Sequence, residues 1–159
     1  MTIISEIQNR GNALIENLGR VLQTADLDRE FFHVPLWKHY YHALYWFDYH
    51  FAGPERFLKA DFHVPRLENI DVLPDITVTG EQLREYYEAV AEKSRRYLET
   101  LTQEMLGEGV NQYNRLGRIT GQVQHVSTHL GNINATTIIE TNKWPIVSAY
   151  ISKNGRLFE

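Results

Sequence analysis

His125 and His129 stand four residues apart in the stretch Gln124-His125-Val126-Ser127-Thr128-His129-Leu130-Gly131-Asn132-Ile133. On a helix, imidazoles at i and i+4 project from one face, close enough to grip a single metal ion. A third histidine would complete the site. The chain carries seven histidines, and His39, His42 and His50 fall in one strongly aromatic stretch from Trp37 to His50. No cysteine occurs in the sequence, which excludes thiolate ligands, disulfides and a cysteine nucleophile. Imidazole, carboxylate and water are then what a metal would meet. Three imidazoles with open positions lower the pKa of a bound water toward neutrality and polarise a carbonyl, with zinc, nickel or another divalent ion. Each ligand must be neutral, so occupancy is expected to fall below about pH 6.5, the ordinary histidine value.

Helices must position these residues, and the apolar pattern supplies four. Ile3, Ile7, Leu14, Leu18 and Val21 recur at helical steps despite Gly11 and Gly19, and the first helix ends between Thr24 and Asp28. The second starts with Pro35 in its first turn and stops at Gly53-Pro54. From Pro54 to Val78 the prolines at 54, 65 and 74 interrupt any sustained period, a long connection that spans a bundle rather than a further domain. Thr79-Gly80-Glu81-Gln82 reads as a capping box for the third helix, whose seven-residue rhythm through Leu83, Tyr86, Val90, Ser94, Tyr97, Leu101 and Met105 predicts continuity to Gly107 and Gly109. The fourth begins between Leu116 and Thr120 and runs to about Thr141, before Trp144-Pro145. The fold class is therefore all-α, a four-helix bundle over residues 1–145 with the long connection between helices 2 and 3. Residues 146–159 form a C-terminal tail, a short strand or coil.

Composition narrows the function classes. The chain has 159 residues, a net charge of -4 and no Lys/Arg run, so nothing offers a footprint for a nucleic-acid backbone. No apolar run is long enough to cross a bilayer, and the N-terminus lacks a basic region followed by an apolar one, which predicts a cytoplasmic protein. The Gly residues form no phosphate-binding loop, and neither a Gly-x-Ser-x-Gly elbow nor His-Glu-x-x-His is present. Glu30-Phe31-Phe32-His33 has the Glu-x-x-His spacing of di-iron bundles but lacks the second pair such sites need.

Taking about 100° per residue, His129 lies roughly 60° and His125 roughly 100° from the centre of the fourth helix's apolar arc, with Gln122 on the same side as a polar neighbour. In the second helix, Lys38 and Asp48 mark a solvent side, and periodicity then places His39 and His50 nearer the core than His42. Tyr40, Tyr41, Tyr45, Trp46, Phe47 and Tyr49 make that helix apolar nearly all round, the pattern of one that meets both its own bundle and a partner, hence an expected homodimer.

These motifs resemble the DinB-like superfamily of metal-binding four-helix bundles. That family's fourth helix carries a pattern close to His-x-x-x-His-Arg-Gly-Gln-Ile, matched here by His125 through Ile133, with Leu130 in place of Arg and Asn132 in place of Gln. Its second helix carries a histidine opening a segment that His42 through His50-Phe51 matches best, so the resemblance selects His42 where periodicity prefers His39 or His50. It implies a site of His42, His125 and His129 holding a divalent ion, zinc or nickel, and a small-molecule substrate. The activity implied is metal-dependent hydrolysis or transfer by a low-molecular-weight thiol such as bacillithiol, mycothiol or glutathione. The alternative is a metal-binding or stress-related structural protein without turnover.

Overall fold

The computed structural model describes residues 2–73, 75–110, 113–145 and 147. The tail expected over 146–159 lies outside them except at Val147. Among the described residues five α-helices carry the fold: α1 Ile3–Thr24, α2 Leu36–His50, α3 Gly80–Thr100, the short α4 Gln103–Gly107, and α5 Arg115–Thr141. Two antiparallel ladders of two residues a side are added, β1 Glu30–Phe31 with β2 Val34–Pro35 and β3 Gly109–Val110 with β4 Tyr113–Asn114. The all-α class holds, and the sequence pattern had given no sign of these ladders.

α1 opens on a reciprocal cap between Thr2 and Ser5. Its glycines sit at close contacts, since a Cβ at Gly11 would run into the Leu98 side chain and one at Gly19 into the Tyr87 hydroxyl. They let α1 lie close against α3. Before α2, the β1–β2 turn places Phe32 and His33 at φ 51° and 61°, the left-handed region. The Glu30/His33 spacing thus spans an exposed hairpin, unlike the single helix face a di-iron pair needs. Helix α2 starts at Leu36, with Pro35 just outside it.

α3 opens with the expected capping box of Thr79 and Gln82. It stops at Thr100, however, rather than running to Gly107. Leu101 and Thr102 are extended, and the Thr102 side chain accepts from the Met105 N–H to begin α4. The break lets Leu101 and Leu106 both reach the core, at 4% and 6% exposure, across what reads in sequence as one rhythm. α5 begins at Arg115, earlier than the expected window, because the Asn114 side chain accepts from the Gly117 N–H.

α2 packs against α5 and α3, and α1 against α3 and α5. Tyr40, Tyr41, Leu44 and Phe47 fill the centre with no exposed surface. Among the described residues of 51–79 there is no α-helix, only a single 3-10 turn at Pro54–Arg56. Two buried polar residues of α2 tie this stretch down. Lys38 donates from Nζ to the Leu67 carbonyl at 2.8 Å. The Asp48 carboxylate accepts from the Leu58 and Lys59 N–H groups, the Tyr86 hydroxyl and the Lys93 ammonium. Neither marks a solvent side, since both are fully buried.

Candidate metal centre

α2 supplies His42, and α5 supplies His125 and His129 from adjacent turns of one face. The rings meet with centroids 5.2 Å apart for His42 and His125, 4.6 Å for His42 and His129, and 4.8 Å for His125 and His129. One nitrogen from each ring lies within 4.8 Å of the other two, and all three residues are half-buried. His42 Nε2 and His125 Nε2 are 3.2 Å apart. With zinc–nitrogen bonds of about 2.0–2.1 Å, ligands at tetrahedral angles stand about 3.3 Å apart. That pair is already at metal spacing.

The outward nitrogens decide what the inward ones can do. His42 Nδ1 lies 2.5 Å from the Glu68 carbonyl, which only accepts, so Nδ1 carries the hydrogen and Nε2 is a bare lone pair. His125 Nδ1 faces the Gln122 Oε1 at 3.4 Å, which assigns its hydrogen in the same way. Two lone pairs therefore point at each other across 3.2 Å. With these tautomers a cation between them makes that contact favourable. A proton is a poor candidate at neutral pH, since burial and then the neighbouring His42 hold His125 down to about 4 and His129 down to about 3. His42 is lowered too, by burial above all. His129 Nδ1 is buried without a partner. Neutral rings, converging lone pairs and an orphaned nitrogen are the donor set a divalent ion takes, so the residues present fit one.

The other histidines lie elsewhere. His39, buried at 6% exposure, directs Nε2 to the Phe31 carbonyl at 3.2 Å, its ring 5.9 Å from that of His129. His50 stacks on Trp46 at 5.5 Å between centroids, and His63 meets the Tyr41 hydroxyl through Nδ1 at 2.6 Å. His33 stands exposed in the hairpin turn. The preference of periodicity for His39 or His50 is thereby corrected in favour of His42. His39 is more buried than His42, as periodicity places it, but its Nε2 is turned to Phe31, and Lys38 and Asp48, taken as the solvent side, are inside.

Sequence reasoning missed the Glu68 carbonyl, and no side-chain pattern could reveal a backbone acceptor inside a proline-punctuated connection. It also missed Arg118, although Arg118, Gln122, His125 and His129 follow each other at steps of four, three and four along one face of α5. A cleft of about 560 Å³ is lined by Glu16, Arg20, Arg84 and Tyr87 of α1 and α3 among others. Another of about 530 Å³ includes Arg56, Lys93, Arg96 and Tyr97. Neither touches the histidine triad. Among the described residues, no helix is long and apolar enough to cross a membrane. Searches of protein-family models, curated proteins and solved structures return no match to this chain.

Proposed function

We propose that this chain is a DinB-like four-helix bundle, built from α1, α2, α3 and α5, that holds a divalent ion on His42, His125 and His129. On this reading it acts in the cytoplasm on a small molecule, as a metal-dependent hydrolase or a low-molecular-weight-thiol transferase. The observation that carries the metal is the 3.2 Å approach of two Nε2 atoms whose rings are both committed, through Nδ1, to acceptors. The 51–79 connection between α2 and α3 supports the bundle reading, since it delivers the Glu68 carbonyl to His42.

A divalent ion bound there supplies Lewis acidity, polarising a carbonyl or making a water or thiol more acidic. Zinc and nickel both suit an all-imidazole set. The chain's own residues prepare that role. Glu68 O and Gln122 Oε1 fix two rings by holding their Nδ1 hydrogens. Val126 and Leu130, each next in sequence to a ligand on α5, are buried in the core. Half-burial of the three ligands leaves a side from which a substrate can arrive. We extend the proposal to a homodimer through α2, where Tyr45, Trp46 and Tyr49 remain half-buried and can be covered by a second copy.

One observation favours a second reading, a metal-binding structural protein without turnover: the two large clefts are formed away from the triad. The deciding experiment measures metal in native, untagged protein and in His42→Ala, His129→Ala and His39→Ala variants by mass spectrometry. The metal-loaded protein is then assayed for ester hydrolysis and for thiol transfer to an electrophile. About one equivalent lost with His42 and His129 but kept without His39 is expected. No metal after reconstitution with zinc and nickel would overturn the metal site, and metal without turnover would select the structural reading.

A further inference from the structure

Arg118 lies on the face of α5 that carries the metal triad, and its side chain has no acceptor where one is needed. The residue is 8% exposed, and both Nε and Nη2 are buried without a hydrogen-bond partner. Those two nitrogens form one edge of the guanidinium, with parallel N–H bonds at the spacing of the two oxygens of a carboxylate. A buried guanidinium cannot discharge itself by losing a proton, and leaving its charge unpaired costs several kcal/mol. The two charged residues buried on α2 are met: Lys38 by the Leu67 carbonyl, and Asp48 by Lys93, Tyr86 and two backbone amides.

We propose that Arg118 is the carboxylate-recognition point of the substrate site, binding the anionic end of a molecule whose reactive end lies at His42, His125 and His129. The inference rests on the metal reading for the far end of the ligand. Arg118 stands seven residues before His125, a rise of about 10 Å along the helix axis. From the facing helix, His42, Trp46 and His50 succeed one another at steps of four, so the same interval is lined on the α2 side. His50 is the ring that the Arg118 charge reaches, and its own pKa is lowered by burial and then by Arg118. It is therefore neutral and does not compete with the guanidinium for an anion. His50 and Trp46 are half-buried and stacked at an interplanar angle of 17°. The ligand class is an aliphatic thiol or acyl compound with a carboxylate about six carbons from its reacting atom.

The first arm of the test needs no metal. Metal-free protein is titrated with sodium hexanoate, hexan-1-ol or sodium sulfate while the Arg118 Nε–H correlation is followed by ¹H–¹⁵N spectroscopy, with Arg118→Lys supplying the assignment. Hexanoate is expected to move that resonance saturably, and hexan-1-ol to leave it in place. In the second arm, zinc-loaded protein is titrated calorimetrically with 6-mercaptohexanoate and 6-mercaptohexan-1-ol. The acid is expected to bind about tenfold more tightly, the advantage of a charge-assisted pair, and Arg118→Gln is expected to abolish that advantage while zinc content stays the same. An unmoved resonance with hexanoate, an equal response to sulfate, or an acid preference that survives Arg118→Gln would each overturn the proposal. Failure to load zinc while hexanoate still moves Arg118 would sink the metal reading and uphold the carboxylate site.

Discussion

Gln122→Leu removes one polar atom from behind the metal site while keeping a side chain of similar size in a position only 9% exposed. In the native chain the Gln122 Oε1 accepts from His125 Nδ1, which fixes the tautomer that turns Nε2 inward. Leucine leaves that N–H without an acceptor and frees the ring to rotate or to change tautomer. Loss of such an outer partner typically weakens metal binding 10- to 100-fold. The bond here is long, 3.4 Å, so the low end applies, about tenfold or about 1.4 kcal/mol. Loss of a ligand should cost more. If about 10–16 kcal/mol is shared among four positions, His129→Ala forfeits about 3 kcal/mol, or 10²- to 10³-fold. His39→Ala should change affinity little, because its Nε2 is directed to Phe31 rather than into the triad. Competition for zinc against a chromophoric chelator at pH 7.5 orders the three variants. Wild-type affinity in Gln122→Leu would refute the tautomer argument. A loss in His39→Ala as large as in His129→Ala would refute the ligand assignment.

Asp48→Asn leaves Lys93, 13% exposed, without its carboxylate; a cost of about 3–5 kcal/mol is expected, read as a lower melting temperature and faster proteolysis within 51–79. Gly19→Ala drives a Cβ into Tyr87, whose hydroxyl is held by the Ile15 carbonyl at 3.0 Å; about 1–3 kcal/mol is lost, and a urea midpoint equal to wild type would count against the close α1–α3 approach. In metal-free protein, His125 and His129 are held to about 4 and about 3 by burial and then by His42. The unfolded chain protonates them near 6.5 and so binds more protons than the folded one. Stability should therefore fall as pH drops from 6.5 toward 4 and be flat above, with each half-buried ring contributing less than about 1.4 kcal/mol per pH unit. Urea unfolding across that range should show a shallower slope in His129→Gln, and an unchanged slope would defeat the assignment. Sedimentation at micromolar concentration should give a dimer mass, and a monomer would remove the proposed α2 interface.

Helix positions were legible wherever the signal was local. The Thr79–Gln82 box and the apolar arc of α1 each need only neighbours in sequence, and each helix is where those residues place it. The α3–α4 break was not legible, because Leu101 and Met105 continue the heptad rhythm while Thr102 starts a new helix with its side chain. A rhythm records which residues face the core and is blind to two extended residues inserted between them. The glycines of α1 read as weak points in a helix, yet they serve contacts with Leu98 and Tyr87, about 90 and 70 positions away.

At the site, the two α5 histidines were readable because four-residue spacing on one helix fixes their proximity, whereas the α2 ligand depended on knowing which way that helix faces. Periodicity infers the facing from charged residues, and Lys38 and Asp48 were no guide to which buried or half-buried ring turns toward α5. Both are charged and both are fully buried, since the connection that follows α2 folds back and supplies the Leu67 carbonyl to one and the Leu58 and Lys59 amides to the other. The same returning segment sets Glu68 against His42. The buried charges of α2 and its candidate ligand His42 thus all draw partners from the same segment, residues 51–79. It follows that a variant which weakens that docking, such as Asp48→Asn, should lower zinc affinity as well as stability, whereas Gly19→Ala should lower stability alone. Equal zinc affinity in the two variants would mean that the site forms without the connection.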